Sequence, residues 1–281
     1  MSARPAPHQR AHAGRHYAIF RFAMIALVIL IFITPLVWMI LASFKTNVDI
    51  QNVRRAFLFT PTLENYVDVF RNDRYLRFVF NSLWVAAWAT LISLVIGVPA
   101  AYSMNRYGMG KSALLVLLAR IVPGICLLVP WYYIFARAGL VGSYTVLILS
   151  HMFILIPVSL YVLMSFFASL PKELEEAALV DGLTPIGAFW HILLPLALPG
   201  IATAGILSFI FSWNNFMFAL VLSGRDTKTL PPAIFDFVSY SGINWGAIMA
   251  GSVVMTIPII VVALFSQKYI VSGLTAGATK G

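Results

Sequence analysis

The chain has 281 residues, 60% of them hydrophobic and 10% charged, with a mean hydropathy of +0.89. A soluble domain carries about 25% charged residues, so the composition excludes a water-soluble globule and implies a membrane protein. The net charge of +9 suits anionic headgroups, and no basic stretch interleaved with aromatics points to nucleic acid.

The first 21 residues are basic and polar and include His8, His12 and His16, which recur every four residues. Pro5, Pro7 and Gly14 interrupt them and little there is apolar, so the tail reads as disordered rather than as a metal-binding helix. The uncharged run that follows, 22–44, is too long for a signal-peptide core and lacks a clear cleavage site, which predicts a retained first span. Further uncharged runs cover 78–105, 138–171, 182–224 and 237–267, and 121–136 is extended by 112–119 if Arg120 is tolerated. A helix needs about 20 residues, at about 1.5 Å each, to cross the hydrocarbon. The runs therefore predict an all-α membrane protein with six transmembrane helices, at 20–43, 78–104, 113–136, 144–168, 200–222 and 246–269. Pro195, Pro199 and Gly200 interrupt the run 182–224, which leaves its first part too short to span. The ten-residue alternating segments of a transmembrane barrel are missing.

Six spans put both termini on one side. With the termini inside, the N-tail arginines, Arg106, Lys111, Lys172, Lys268 and Lys280 make nine inner positive charges, against nine outside. The positive-inside rule ties, and the acid-free N-tail beside the first span tips it towards a cytoplasmic N-terminus. Prolines lie in or near every predicted span (Pro35, Pro99, Pro123, Pro130, Pro157, Pro199, Pro258), and the spacings Gly97/Ala101, Gly200/Ala204 and Gly246/Ala250 allow close helix approach. Arg120, if it lies in the third span, either snorkels to the inner interface or contacts a partner or pathway mouth.

Chemistry-bearing motifs are few. "GMGKS", Gly108–Ser112, lacks the first glycine of a phosphate-binding loop, since position 105 is Asn, and it lies between spans rather than between a strand and a helix. It reads as a turn, so the chain carries no ATPase of its own. Cys126 is the single cysteine, which excludes an internal disulfide and a cysteine metal cluster. His151 lies on an apolar span and reads as a core histidine. No Gly-x-Ser-x-Gly, no His-Glu-x-x-His and no paired intramembrane acids occur, so no catalytic residue and no metal site is assigned. Trp213, Asn214 and Asn215 form the strongest intramembrane polar group. Amide and indole suit sugar hydroxyls and ring faces, while helix–helix hydrogen bonding would also explain the amides.

Four of the ten carboxylates, Glu173, Glu175, Glu176 and Asp181, sit within the twelve residues of "PKELEEAALVDG". Pro171 can open a helix, the glutamates lie at the positive end of its dipole, and Gly182 can stop it. Thr184 and Pro185 then predict a second helix whose face of Ile186, Phe189, Trp190, Leu193 and Leu194 lies along the membrane and ends at Pro195. The acidic helix places Leu174, Ala177, Ala178 and Asp181 on one face. That face is either a docking surface, where alanines permit close approach and glutamates offer ion pairs, or the solvated side of a connecting loop.

Glu176-Ala177-Ala178, three residues, Gly182, nine residues, then Ile192-x-Leu194-Pro195 resembles the EAA signature of ABC-importer permeases at all seven of its positions. "TLENY" (Thr62–Tyr66), "NSL" (Asn81–Leu83), "FSWNNFMFAL" (Phe211–Leu220) and "GLTAGATKG" (Gly273–Gly281) are similar to the carbohydrate branch, the relatives of the maltose permease's smaller subunit. The family often has an acidic residue after the Trp-Asn pair, where this chain has Asn215.

The resemblance implies a type I permease fold with a cytoplasmic coupling helix. A permease domain at 20–271, including a coupling loop at 169–199, would lie between cytoplasmic tails at 1–19 and 272–281. Glu175, Glu176, Ala177, Ala178, Asp181 and Gly182 would contact a dimeric cytoplasmic ATPase, which alone would hold ATP and Mg. A second homologous permease and an extracellular or periplasmic solute-binding protein would complete a carbohydrate importer. It would sit in a bacterial or archaeal cytoplasmic membrane with both termini inside, and Trp213, Asn214 and Asn215 are candidates for the substrate pathway. Two alternatives remain at this point: a stand-alone secondary transporter or facilitator, or an ABC permease for a non-sugar solute.

Overall fold

The structure, a computed structural model, describes residues 7–71, 74–239 and 242–276, with side chains for 17–71, 74–119, 121–239 and 242–265. Its α-helices are α1 (Pro7–Ser43), α2 (Asn47–Gln51), α3 (Glu64–Arg71), α4 (Arg74–Arg106), α5 (Gly110–Leu118), α6 (Gly124–Arg137) and α7 (Tyr144–Ser169), followed by α8 (Glu173–Val180), α9 (Pro185–Ala188), α10 (Leu194–Leu196), α11 (Leu198–Trp213), α12 (Met217–Leu222), α13 (Leu230–Ala233) and α14 (Trp245–Ala276). Among the described residues four helices are long and apolar enough to cross a membrane: Tyr17–Ser43, Arg74–Arg106, Tyr144–Ser169 and Trp245–Phe265. A fifth is added if Pro185–Leu196 and Leu198–Trp213, bent by 71°, count as one. The fold is therefore all-α and multi-pass.

Two of the expected continuous spans are broken. In place of 113–136 the chain forms α5, a 3-10 turn at Ala119–Ile121 and α6. Val122 is extended (φ −65°, ψ 117°) because the ring of Pro123 disfavours a helical residue before it. The 14-residue α6 is too short to cross alone. In place of 200–222, α11 ends at Trp213 and α12 starts at Met217. The tail expected to be disordered joins α1 from Pro7 onward; the side chains of His8, His12 and His16, like that of Arg120, lie outside the described ones. The helix expected to end at Pro195 continues to Leu196 by widening into a π-turn at Phe189–Leu193. Proline has no N–H to return to the carbonyl four residues back, and a wider turn accommodates that loss.

The chain divides into two compact units. The first comprises residues 1–69 and 237–253. Here the segment after α1 is tied down by polar side chains. Asn65 Nδ2 donates to the carbonyls of Ser43 and Lys45, both at 2.8 Å, and Tyr66 Oη lies 2.8 Å from Ser43 Oγ. Lys45 is fully buried. Its ammonium donates to the Arg55 and Ala56 carbonyls and lies 4.6 Å from the ring centres of both Trp38 and Phe59. The hydrogen bond from Arg55, then that from Thr46, holds the Asp49 carboxyl below its ordinary value of 3.8. Gly246, on α14, packs so closely on Asn65 that a Cβ would collide with the amide. A two-stranded hairpin, β1 (Val238–Ser239) with β2 (Gly242–Ile243), precedes α14.

The second unit comprises residues 70–236 and 254–281. Its core is the packing of α4, α7 and α11, in which Val98, Ala101, Leu160, Leu163, Phe167, Phe189, Ala197 and Ala204 form one buried cluster. Gly97 and Gly200 sit where the helices approach: a Cβ on Gly97 would come within 3.3 Å of Ser159 Cβ, and one on Gly200 would enter the ring of Phe166. At the Arg74 end of α4, Asn81 is fully buried and satisfies three partners. Its Nδ2 donates to the carbonyls of Asp226 (2.9 Å) and Lys228 (2.8 Å), and its Oδ1 accepts from Tyr144 Oη (2.7 Å). Ser82 Oγ beside it accepts from the amide of Leu230 at 2.8 Å. These contacts give the two polar residues of "NSL" a structural duty: they fasten the segment 226–230 to α4 and α7. Asn81→Leu should lower the unfolding free energy of the detergent-solubilised protein by about 2–3 kcal/mol, since buried carbonyls lose their donors. A change below about 0.5 kcal/mol in a denaturant titration would contradict that account.

Candidate functional site

The acidic segment forms the expected helix–turn–helix. In α8, Glu173, Glu175 and Glu176 occupy the first turn. Gly182 takes φ +89°, the left-handed conformation, which lets the Leu183 amide return to the Ala178 carbonyl at 3.0 Å and the Gly182 amide to the Leu179 carbonyl at 3.1 Å. Nothing lies within 4 Å of a Cβ built on Gly182, so glycine is set there by the backbone alone. Thr184 caps α9, its hydroxyl accepting from the Gly187 amide at 3.1 Å.

The structure separates residues that the sequence grouped. Glu173, Leu174, Glu176, Ala177, Val180, Asp181 and Gly182 are exposed, whereas Ala178 is buried. Of the two alanines, only Ala177 offers its surface to another molecule; Ala178 packs inward. Similarly, Phe189 enters the core cluster with Leu194 packed against it and Leu193 is buried, while Ile186 and Trp190 remain exposed. The expected single apolar face is thus divided between the protein's own interior and its surroundings.

Glu175 is turned inward too. Its Oε1 accepts from Tyr102 Oη at 2.7 Å and pairs with the Arg106 guanidinium, which also donates to Tyr102 Oη at 2.7 Å. The Tyr102 ring centre lies 4.8 Å from that of Phe189 and 5.8 Å from that of Phe167. The sequence reading missed Tyr102 and used Arg106 only as an inner positive charge. Their i, i+4 spacing at the end of a span, opposite an unusual cluster of acids, is the signal that could have found them. A cavity of about 350 Å³ adjoins the trio, lined by Asn105, Lys172, Glu176 and Leu179 among others.

The group of Trp213, Asn214 and Asn215 divides as well. Trp213 is buried, stacks on Phe209 at 6.0 Å and donates its indole N–H to the Met255 carbonyl at 3.1 Å. Asn215 caps the start of α12, its Oδ1 accepting from the Phe218 amide at 3.2 Å. Asn214 is exposed and its Nδ2 donates to the Ile210 carbonyl at 3.0 Å. Trp213 and Asn215 thus have structural duties at the break between α11 and α12. Asn214 alone presents its side chain outward. His151 is a buried core histidine, as expected, with Nδ1 2.7 Å from Ser212 Oγ, but its buried Nε2 has no hydrogen-bond partner among the described residues. No group of three or more His, Cys, Asp or Glu side chains that could hold a metal occurs among the described residues.

Residues 93–276 match the family described as binding-protein-dependent transport system inner membrane component. Curated relatives align over nearly their full length. The chain is 36% identical to the sulfoquinovosyl glycerol transport system permease protein of Agrobacterium fabrum, covering 93% of each chain. It is 36% identical to the trehalose transport system permease protein of Mycobacterium tuberculosis, covering 95% of this chain and 100% of that one. With the trehalose/maltose transport system permease protein of Thermococcus litoralis it shares 37% identity over 91% and 94% of the two chains. Among solved structures, a bacterial ABC transporter involved in the import of alginate superposes with a TM-score of 0.76 at 18% identity, covering 95% of this chain and 99% of that one. At that identity the likeness speaks for the fold.

The burial pattern of α8 is directly testable on the solubilised chain. A cysteine at Ala177 should react readily with a water-soluble maleimide, and a cysteine at Ala178 only after unfolding. Equal labelling of the two would show that α8 is rotated from the orientation described.

Proposed function

The chain belongs to the family of binding-protein-dependent transport system inner membrane components, and from that premise we propose that it is the transmembrane permease subunit of an ATP-driven carbohydrate importer. The observation that carries the cargo class is the set of full-length relatives, whose named solutes are a sulfoquinovosyl glycerol, trehalose and maltose. All are glycosides. The family description itself supports a solute-binding protein as one partner. A second, homologous permease and a dimeric cytoplasmic ATPase complete the proposed assembly, with ATP and Mg bound on the ATPase.

Six spans follow if each broken pair is one crossing: α1, α4, α5 with α6, α7, α11 with α12, and α14. The loop 169–199 then lies on the side of both termini, in the cytoplasm of a bacterial or archaeal cell. The tails at 1–19 and 272–281 flank the permease domain at 20–271, α1 beginning within the first and α14 running into the second. Residues 277–281 lie outside the described ones.

Of the residues assigned to ATPase contact, Glu176, Ala177, Asp181 and Gly182 form the exposed face. Glu175 and Ala178 support that face from within. Closure of the ATPase dimer on ATP displaces α8, the spans rock, and the pathway opens outward to take solute from the binding protein; hydrolysis resets it. ATP can shift this equilibrium only by the difference in how the two states engage the ATPase. The break at Asn214–Phe216, where backbone leaves the helix at membrane depth, is where such a pathway passes.

Glu176→Lys should leave the assembled protein in the membrane yet lower solute-driven ATP hydrolysis by about tenfold. Normal import and normal ATPase stimulation by this variant would refute the docking role. Asn214→Leu should change uptake or cargo preference with assembly intact. Unchanged uptake accompanied by loss of assembly would assign that asparagine to helix packing instead.

A further inference from the structure

Among the four carboxylates of residues 173–181, Glu175 is the exception: its side chain is 18% exposed while Glu173, Glu176 and Asp181 face outward. Its two partners belong to the last turns of α4. Tyr102 Oη donates to the carboxylate and accepts from Arg106, so the phenol is satisfied in both directions. Its ring packs against those of Phe167 and Phe189. The link from α7 to α8 is short and extended at Leu170 (φ −74°, ψ 135°), and the far end of α8 is a glycine turn. Each is a place where α8 could pivot. Tyr102, Arg106 and Glu175 all line the cavity of about 350 Å³ at this junction, and across it the end of α4 and the start of α8 are joined by polar contacts. Those contacts are charge-assisted hydrogen bonds.

We propose that Tyr102, Arg106 and Glu175 form a clamp that makes α8 and α4 one mechanical body, so that a displacement of the acidic helix is delivered to α4 rather than absorbed at the Leu170 link. The clamp rests on the functional reading above and adds to it the helix that receives the stroke and the groups that pass it on. Because α4 runs unbroken for 33 residues, about 50 Å, a stroke at Arg106 reaches the Asn81 fastening of segment 226–230 near the opposite end of the same helix. Tyr102 and Arg106 are positioning residues and touch no solute. Glu175, although beside the exposed glutamates, is assigned to this internal tie and not to the ATPase.

The test uses the complete transporter, with its partner permease, ATPase and binding protein, in liposomes. Variants Arg106→Gln, Glu175→Gln, Tyr102→Phe and the exchanged pair R106E/E175R are compared for ATPase co-purification and for stimulation of ATP hydrolysis by the solute-loaded binding protein. A wild-type complex that brings down no ATPase ends the functional reading itself. With that premise met, the single Gln variants should co-purify the ATPase as wild type does and lose stimulation by about tenfold. The exchanged pair should recover to within about threefold. Tyr102→Phe, which keeps the ring and deletes only the hydroxyl, should show an intermediate loss, and it decides the matter if the exchanged pair does not fold. Stimulation within about twofold of wild type in the single variants would overturn the clamp. So would loss of ATPase capture by Glu175→Gln but not by Arg106→Gln, which would make Glu175 a docking residue.

Discussion

Ionised carboxylates do not rest in hydrocarbon, and that exclusion organises the molecule. Moving a charge to the centre of a bilayer costs about 2.5–3.5 kcal/mol even on insertion scales. All ten acidic residues fall outside the six predicted spans, and four of them fall within twelve residues. A cluster of that density cannot hide in the membrane, and among the described residues only part of it finds a side-chain partner within the chain. Glu175 does, through Arg106 and Tyr102; Glu176 and Asp181 stay exposed beside Ala177. One helix therefore has an inner edge fastened to α4 and an exposed outer edge, the one proposed to meet a soluble partner.

A second constraint, that backbone polar groups in a membrane be satisfied internally, accounts for the other polar side chains. Where the helices break, asparagines take over. Asn215 caps α12, Asn214 returns to the Ile210 carbonyl, Asn81 holds segment 226–230, and Asn65 holds the turn after α1. Each amide supplies donor and acceptor without a charge, so it meets these needs at lower cost than an ion pair. Motifs that invite a functional reading can thus be fasteners, as "NSL" is.

Much of this was legible in the residues. The long charge-free runs located α1, α4, α7 and α14, because apolar length is what a bilayer demands of a helix. Pro171, Gly182, Thr184 and Pro185 gave the turn between α8 and α9, because caps and stops act locally. What could not be read was which side of a helix its neighbours would cover. Ala177 and Ala178 are equivalent in sequence and opposite in burial, and Glu175 and Glu176 differ in the same way, since a 100° step per residue turns adjacent side chains to different surroundings. The broken spans were misjudged for a related reason. Pro123 and the Asn214–Asn215 pair were counted as tolerable within a helix, whereas the proline ring extends the residue before it and the two amides satisfy the backbone groups that the second break leaves open.

The central claim is that the exposed edge of α8 is the socket for a separate ATP-hydrolysing engine. A photo-reactive amino acid placed at Ala177 and activated in native membranes tests it most directly. The account predicts a cross-link to a nucleotide-hydrolysing subunit, formed from the cytoplasmic face. Capture of no such subunit, or reaction of this position with a membrane-impermeant reagent from outside intact cells, would contradict it.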